Sequence, residues 1–119
     1  MKILLAEDDE LILRTIEHKL KNEGYEVILC RNGKEAIDQT LETRPDLIVT
    51  DIMMPFASGI EILSAIQQHN ISTNVIVLSS LGQEDVVEEA FTLGASDFMV
   101  KPFNPNELLL RIKRLLRFK

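Results

Sequence analysis

The sequence predicts an α/β fold: a single parallel sheet with helices on both faces. Short apolar runs rich in Val, Ile and Leu recur along the chain with little polar alternation, as in strands buried on both faces. Between them lie stretches with apolar residues at helical spacing, joined by connections of a few residues. Strict β–α alternation of this kind belongs to parallel sheets. Size agrees: 119 residues make one domain, expected over residues 1–119. A chain of this length buries roughly two-thirds of its unfolded surface, enough for a core without metals or disulfides.

The elements follow in order. Ile3 to Ala6 is the first run, ended by Glu7, Asp8, Asp9 and Glu10. A helix over Leu11 to Glu23 carries Leu13, Ile16 and Leu20 on one face, and Gly24 stands just past its end. Tyr25 to Leu29 is the second run, with Cys30 after it as an expected partly buried residue. Gly33 to Thr43 is a second helix, stopped before Pro45. Leu47 to Thr50 is the third run and leads into Asp51. Ser58 and Glu61 have the spacing of a capping box for a helix reaching about Gln68. Val75 to Leu78 is the fourth run, followed by Ser79 and Ser80. A helix over Glu84 to Leu93 stops at Gly94. Phe98 to Val100 is the fifth run, followed by Lys101 and Pro102. Asn104, Pro105 and Glu107 then fit the cap, first and third positions of a last helix rich in leucine.

Composition excludes several classes. At 45% hydrophobic and 27% charged, the chain is neither disordered nor a disulfide scaffold. Against 19 acidic residues there are 13 Lys and Arg, a net charge of −6, and an acidic body is a poor ligand for phosphate backbones. Arg111, Lys113, Arg114, Arg117 and Lys119 on the last helix read as a solvated face favoured by the helix dipole. No direct nucleic-acid contact is expected. Cys30 is the only cysteine, which fits a reducing compartment. The apolar start ends at Glu7, far short of a signal peptide or of the roughly 20 residues of a membrane span. The expectation is a soluble, cytoplasmic chain with no membrane contact. His18 and His69 have no partner at ligand spacing and read as surface residues. Met53 and Met54 read as packing side chains.

In open parallel sheets, ligands bind beyond the carboxyl ends of the strands. Those ends carry Glu7, Asp8 and Asp9, then Asp51, then Ser79 and Ser80, then Lys101. Three carboxylates held together, Glu7, Asp8 and Asp51, raise each other's pKa values, and a hard cation resolves the conflict. Mg²⁺ suits the set, because it takes one or two carboxylates and keeps several waters. A carboxylate beside a cation can attack phosphorus to form an aspartyl phosphate, and Asp51, at the end of an apolar strand, is the nucleophile candidate. The oxygens of such a group need donors, which Lys101 and the Ser79 hydroxyl supply. Each residue alone has an ordinary structural role. Their joint placement at four strand ends carries the chemistry.

The residues I-L-L-A-E-D-D-E, D-L-I-V-T-D-I-M-M-P-F-A-S-G, V-I-V-L-S-S, G-A-S-D-F and K-P-F resemble the receiver (CheY-like) domain of two-component response regulators over essentially the whole length. The resemblance implies a doubly wound (βα)₅ fold with strand order 2-1-3-4-5. It implies that Asp51 is the phosphoacceptor, that Glu7 and Asp8 bind Mg²⁺ with the backbone carbonyl of Met53, and that Asp9 is a helix-start acid. Ser79 and Lys101 match the hydroxyl and lysine that meet the phosphoryl group, with a cis Lys101–Pro102 bond. Phe98 matches the aromatic that turns inward on activation. The implied partners are a sensor histidine kinase or phosphotransfer protein and an effector domain or target protein. The face made by the fourth helix, fifth strand and fifth helix is the implied signalling and homodimer surface. Asp97 and Arg111 fit its charge pattern, whereas Val87 stands where a basic residue is usual. Phe56 and Ala57 also depart from the usual Gly and larger apolar residue. The domain would catalyse only its own phosphorylation and dephosphorylation, without turnover.

Three other classes fit the sequence less well. A phosphorylation-independent interaction module shares the fold but needs none of the five site residues. An aspartyl phosphatase needs a cap domain that 119 residues do not hold. A flavin module needs a phosphate cradle after the first strand, where four acids stand instead.

Overall fold

The computed structural model describes residues 1–117; Lys119, assigned above to the basic face of the last helix, lies outside them. Strands and helices alternate as β1 (Lys2–Ala6), α1 (Glu10–Asn22), β2 (Glu26–Cys30), α2 (Gly33–Thr43), β3 (Leu47–Asp51), α3 (Gly59–Gln68), β4 (Asn74–Ser79), α4 (Glu84–Thr92), β5 (Asp97–Val100) and α5 (Pro105–Arg117). The strands form one parallel sheet in the order β2-β1-β3-β4-β5. The chain places β2 on one side of β1 and β3 on the other, so the switch point lies between the carboxyl ends of β1 and β3.

Strand alternation sorts the core into two layers. Leu4, Ala6, Ile48, Val75 and Val77 face α2, α3 and α4, packing against Ala36, Ile62, Leu63 and Ala90. Ile3, Leu5, Val49, Ile76 and Leu78 face the other way, against Leu13, Ile16 and Leu20 of α1 and Leu108 and Ile112 of α5. Full burial of each such Leu or Ile contributes about 1.5–3 kcal/mol.

Local chemistry fixes the helix ends. Asp9 caps α1, its Oδ1 accepting from the amides of Leu11 and Ile12 at 3.0 and 3.2 Å. Asn32 caps α2 in the same way, accepting from Glu35 at 2.8 Å. Arg44 ends α2 in the left-handed region with φ 47°, ahead of Pro45. The Ser58 amide donates to Glu61 Oε1 at 3.4 Å, the reciprocal half of the expected capping box. The amino end of α2 also receives the loop after β3: the Gly33 amide donates to Pro55 O at 3.1 Å. A Cβ on Gly33 would stand 1.8 Å from Ala57 O, so only glycine allows this approach.

The structure corrects several expectations. α1 begins one residue earlier than read, because the Asp9 cap makes Glu10 its first residue. The second strand is displaced to Glu26–Cys30, and Cys30 is fully buried. Burial on both faces holds for β1, β3 and β4 but not for the edge strands. Glu26 of β2 and Phe98 and Val100 of β5 are exposed. Beside β5, α4 packs on β4 and α3, and its Phe91 ring reaches Phe98. Met53 is also no packing residue, at 52% exposed, whereas Met54 packs on the core.

Candidate functional site

Parallel strands that end at one edge bring their last residues together. Register places Ala6 beside Cys30 and Thr50, Asp51 beside Leu78, and Ser79 beside Val100. The ladder continues one residue further at three points, where the amide of Glu7 donates to Cys30 O, that of Ile52 to Leu78 O and that of Lys101 to Ser79 O. The backbones carrying Glu7, Asp51 and Lys101 are therefore held by the sheet. The Lys101–Pro102 peptide bond is cis.

The side chains converge on one pocket. The Lys101 ammonium lies 2.6 Å from Glu7 Oε1 and 2.7 Å from Asp51 Oδ2. Asp51 Oδ1 is 3.4 Å from the Met53 amide, which brings the Met53 backbone to the same place. Carboxylate oxygens of Glu7, Asp8 and Asp51 lie within 4.8 Å of one another. Glu7, Asp51 and Ser79 are buried, and Asp8 faces solvent. Asp9 points away as the α1 cap, which separates it from the acid pair.

Glu7 shows the tension in the pocket. Its Oε2 accepts from the Asp8 and Asp9 amides at 3.0 and 3.4 Å. Its Oε1 pairs with the Lys101 ammonium at 2.6 Å. Burial, together with the neighbouring Asp51 carboxylate, pushes the Glu7 pKa from 4.5 up to about 7, against the pull of Lys101. For Lys101, burial alone would lower the pKa, but the pairs with Asp51 and Glu7 outweigh it and hold the value above its ordinary one. Three carboxylates around a single ammonium leave an excess of negative charge that fits a small divalent cation. Lys101 is the one cation within pairing distance of the buried carboxylates among the described residues.

A match to the response regulator receiver domain runs over residues 3–113. The chain belongs to the receiver domain family of two-component response regulators. This receiver domain is 40% identical to the transcriptional regulatory protein ResD of Bacillus subtilis. It is 36% identical to the alkaline phosphatase synthesis transcriptional regulatory protein PhoP of the same organism, each over 116 residues. Each match covers 98% of this chain and 48% of the relative, so the chain spans about half the length of those proteins. Among solved structures it is similar to the receiver domain of the Francisella response regulator 1452, with TM-score 0.90, 36% identity and coverage of 99% and 98% of the two chains. It is also similar to the chemotaxis response regulator CheY4 of Vibrio cholerae, with TM-score 0.86, 31% identity and coverage of 96% and 97%. Its strand order and alternating elements are those the resemblance implied.

Phe98 is 36% exposed on the outer side of β5. Asp97 and Arg111 pair within the chain at 2.8 Å, with Glu107 on the same guanidinium at 3.0 Å. Val87 is a buried side chain of α4, so its apolar character serves the core of this receiver. His18 and His69 are exposed and bond locally, to Asn22 and to Ala65 O. The ring of Phe91 against Phe98 escaped the sequence reading. Phe91 lies four residues after Val87 on one helix face, but its neighbour is set by where α4 crosses β5, which periodicity does not encode. No helix among the described residues is long and apolar enough to cross a membrane.

Proposed function

We propose that this receiver takes a phosphoryl group onto Asp51 from a phosphohistidine of a sensor kinase or phosphotransfer protein in the cytoplasm. An Asp51 oxygen attacks phosphorus, the phosphorus–nitrogen bond breaks, and its electron pair stays on the departing imidazole. Glu7, Asp8, Asp51 and the Met53 carbonyl would hold Mg²⁺. Bound there, the cation supplies positive charge against the crowded carboxylates and the oxygens of the transferred group. Lys101, already 2.7 Å from Asp51, pairs with the new phosphoryl oxygens. Ser79 donates its hydroxyl to the same group, and Phe98 turns inward behind it. The face of α4, β5 and α5 then changes for an effector domain, a target protein or a second copy. The relatives named above are called transcriptional regulators, and we propose transcription as the output of this receiver as well.

The observation that carries this reading is the lysine bridging two buried carboxylates at the switch point of the sheet. The test is intact-protein mass after incubation with acetyl phosphate, with and without Mg²⁺, for wild type and Asp51→Asn. One phosphoryl group gained by wild type only with Mg²⁺, and none by the variant, is expected. No gain in wild type would overturn the reading in favour of the phosphorylation-independent interaction module. A gain in Asp51→Asn would overturn the assignment of the acceptor.

A further inference from the structure

Phe98 sits on a ridge between two grooves. One is lined by Ser79, Leu81, Val87, Phe91 and Val100 and holds about 290 Å³. The other, beyond β5, is bordered by Asn104, Glu107 and Arg111. The backbone of Phe98 is pinned: Asp97 Oδ1 accepts from its amide at 2.8 Å, and Arg111 donates to its carbonyl at 3.2 Å. The side chain is therefore the part free to change place. A cavity of about 150 Å³ holds a benzene ring, so the first groove has room for the Phe98 ring beside Ser79.

In its outward position the ring has one aromatic neighbour among the described residues. Phe91 and Phe98 meet edge to face, with centroids 5.7 Å apart and planes at 90°. Phe98 has no hydroxyl, so its outward position gains no hydrogen bond from the side chain. Its ring instead meets the ring of Phe91. The Phe91 backbone is held in the last turn of α4, where its carbonyl accepts from the Gly94 amide at 3.0 Å.

We propose that Phe91 is a positioning residue that holds Phe98 outward and so sets how readily this receiver switches. The inference rests on the reading of Phe98 as the residue that turns inward. Removing the Phe91 ring takes away the edge-to-face contact of the outward position and widens the groove that Phe91 also lines. Edge-to-face pairs of this geometry correspond to roughly a two- to tenfold change in an equilibrium constant. Phe91→Ala is therefore expected to raise the inward-to-outward ratio by that factor.

The test uses the full chain with ring-¹³C phenylalanine, the Phe98 signal being assigned by its loss in Phe98→Leu. Its chemical shift is followed through a titration with beryllofluoride, a phosphoryl analogue, in Mg²⁺. Wild type gives the outward and inward end points. Phe91→Ala is expected to start closer to the inward end point and to reach its midpoint at roughly two- to tenfold lower beryllofluoride. Phe91→Tyr, which keeps the ring, is expected to restore the wild-type curve. Phe91→Leu keeps apolar bulk on the half-exposed helix face, and its shift is read in the same way should the alanine variant not fold. Wild-type starting shifts and midpoints in both ring-deleting variants would overturn the role of Phe91. A Phe98 signal that beryllofluoride does not move in wild type would instead overturn the reading of Phe98, and this inference with it.

Discussion

Glu7→Gln is expected to stabilise the metal-free protein at neutral pH, although Glu7 is fully buried and ion-paired. The carboxyl of Glu7 is held near pKa 7 in the folded chain, by burial first and then by Asp51, against an ordinary 4.5. Between those values the folded state keeps a proton that the unfolded chain has released. Its contribution is thus fully present below pH 4.5 and is lost as pH rises through about 7. A rise of this size corresponds to a loss on the order of 3 kcal/mol above pH 7. Gln carries no charge at any pH and escapes that loss. The chain has no tryptophan, so helix circular dichroism in urea, at constant ionic strength and with EDTA, is the suitable probe. The gap between variant and wild type is expected to be small at pH 4.5 and to grow to about 3 kcal/mol by pH 8. Saturating Mg²⁺ is expected to close it by stabilising wild type more than the variant, since a cation that binds only the folded state adds to its stability. Parallel pH profiles for the two proteins in EDTA would refute the reasoning.

Two backbone positions give independent outcomes. Gly33→Ala places a methyl 1.8 Å from Ala57 O, so the loop after β3 must leave α2; a loss of about 2 kcal/mol or more in urea unfolding is expected. Phe56 is 85% exposed with φ 71°, a conformation that costs a side-chain-bearing residue about 1 kcal/mol. Phe56→Gly is expected to leave stability unchanged or raise it by up to about 1 kcal/mol, despite deleting a large apolar side chain, and the same urea curves check it.

The sequence was most legible where one residue type has one dominant use. Apolar runs without alternation located β1, β3 and β4, because both faces of those strands are covered. The Ser58–Glu61 spacing located the start of α3 and Asn104–Pro105 that of α5, since both patterns have one dominant use at a helix start. The site was legible because parallel strands deliver their last residues to one edge, so Glu7, Asp51 and Lys101 could be grouped without coordinates. Sidedness at the edges was not legible. Phe98 and Val100 read like core residues, yet both are exposed on the edge strand β5. The Asp97–Arg111 pair likewise fits a contact between copies or within one chain by spacing alone, and the intrachain distance of 2.8 Å required the geometry of α5.

The acidic pocket works against the fold that contains it. Two apolar layers supply the stability, and neither needs Glu7 or Asp51 to be charged. A chain selected for stability alone would neutralise one of the three carboxylates, as Glu7→Gln does. The crowding persists together with a lysine that compensates it only in part, for one ammonium faces three converging carboxylates. Such incomplete satisfaction is where sequences keep function at a cost in stability. The same incompleteness accounts for the pocket's proposed responsiveness. An already neutral site would have little to gain from a cation or from Lys101 changing partners. Here either event relieves a repulsion that folding itself has built up.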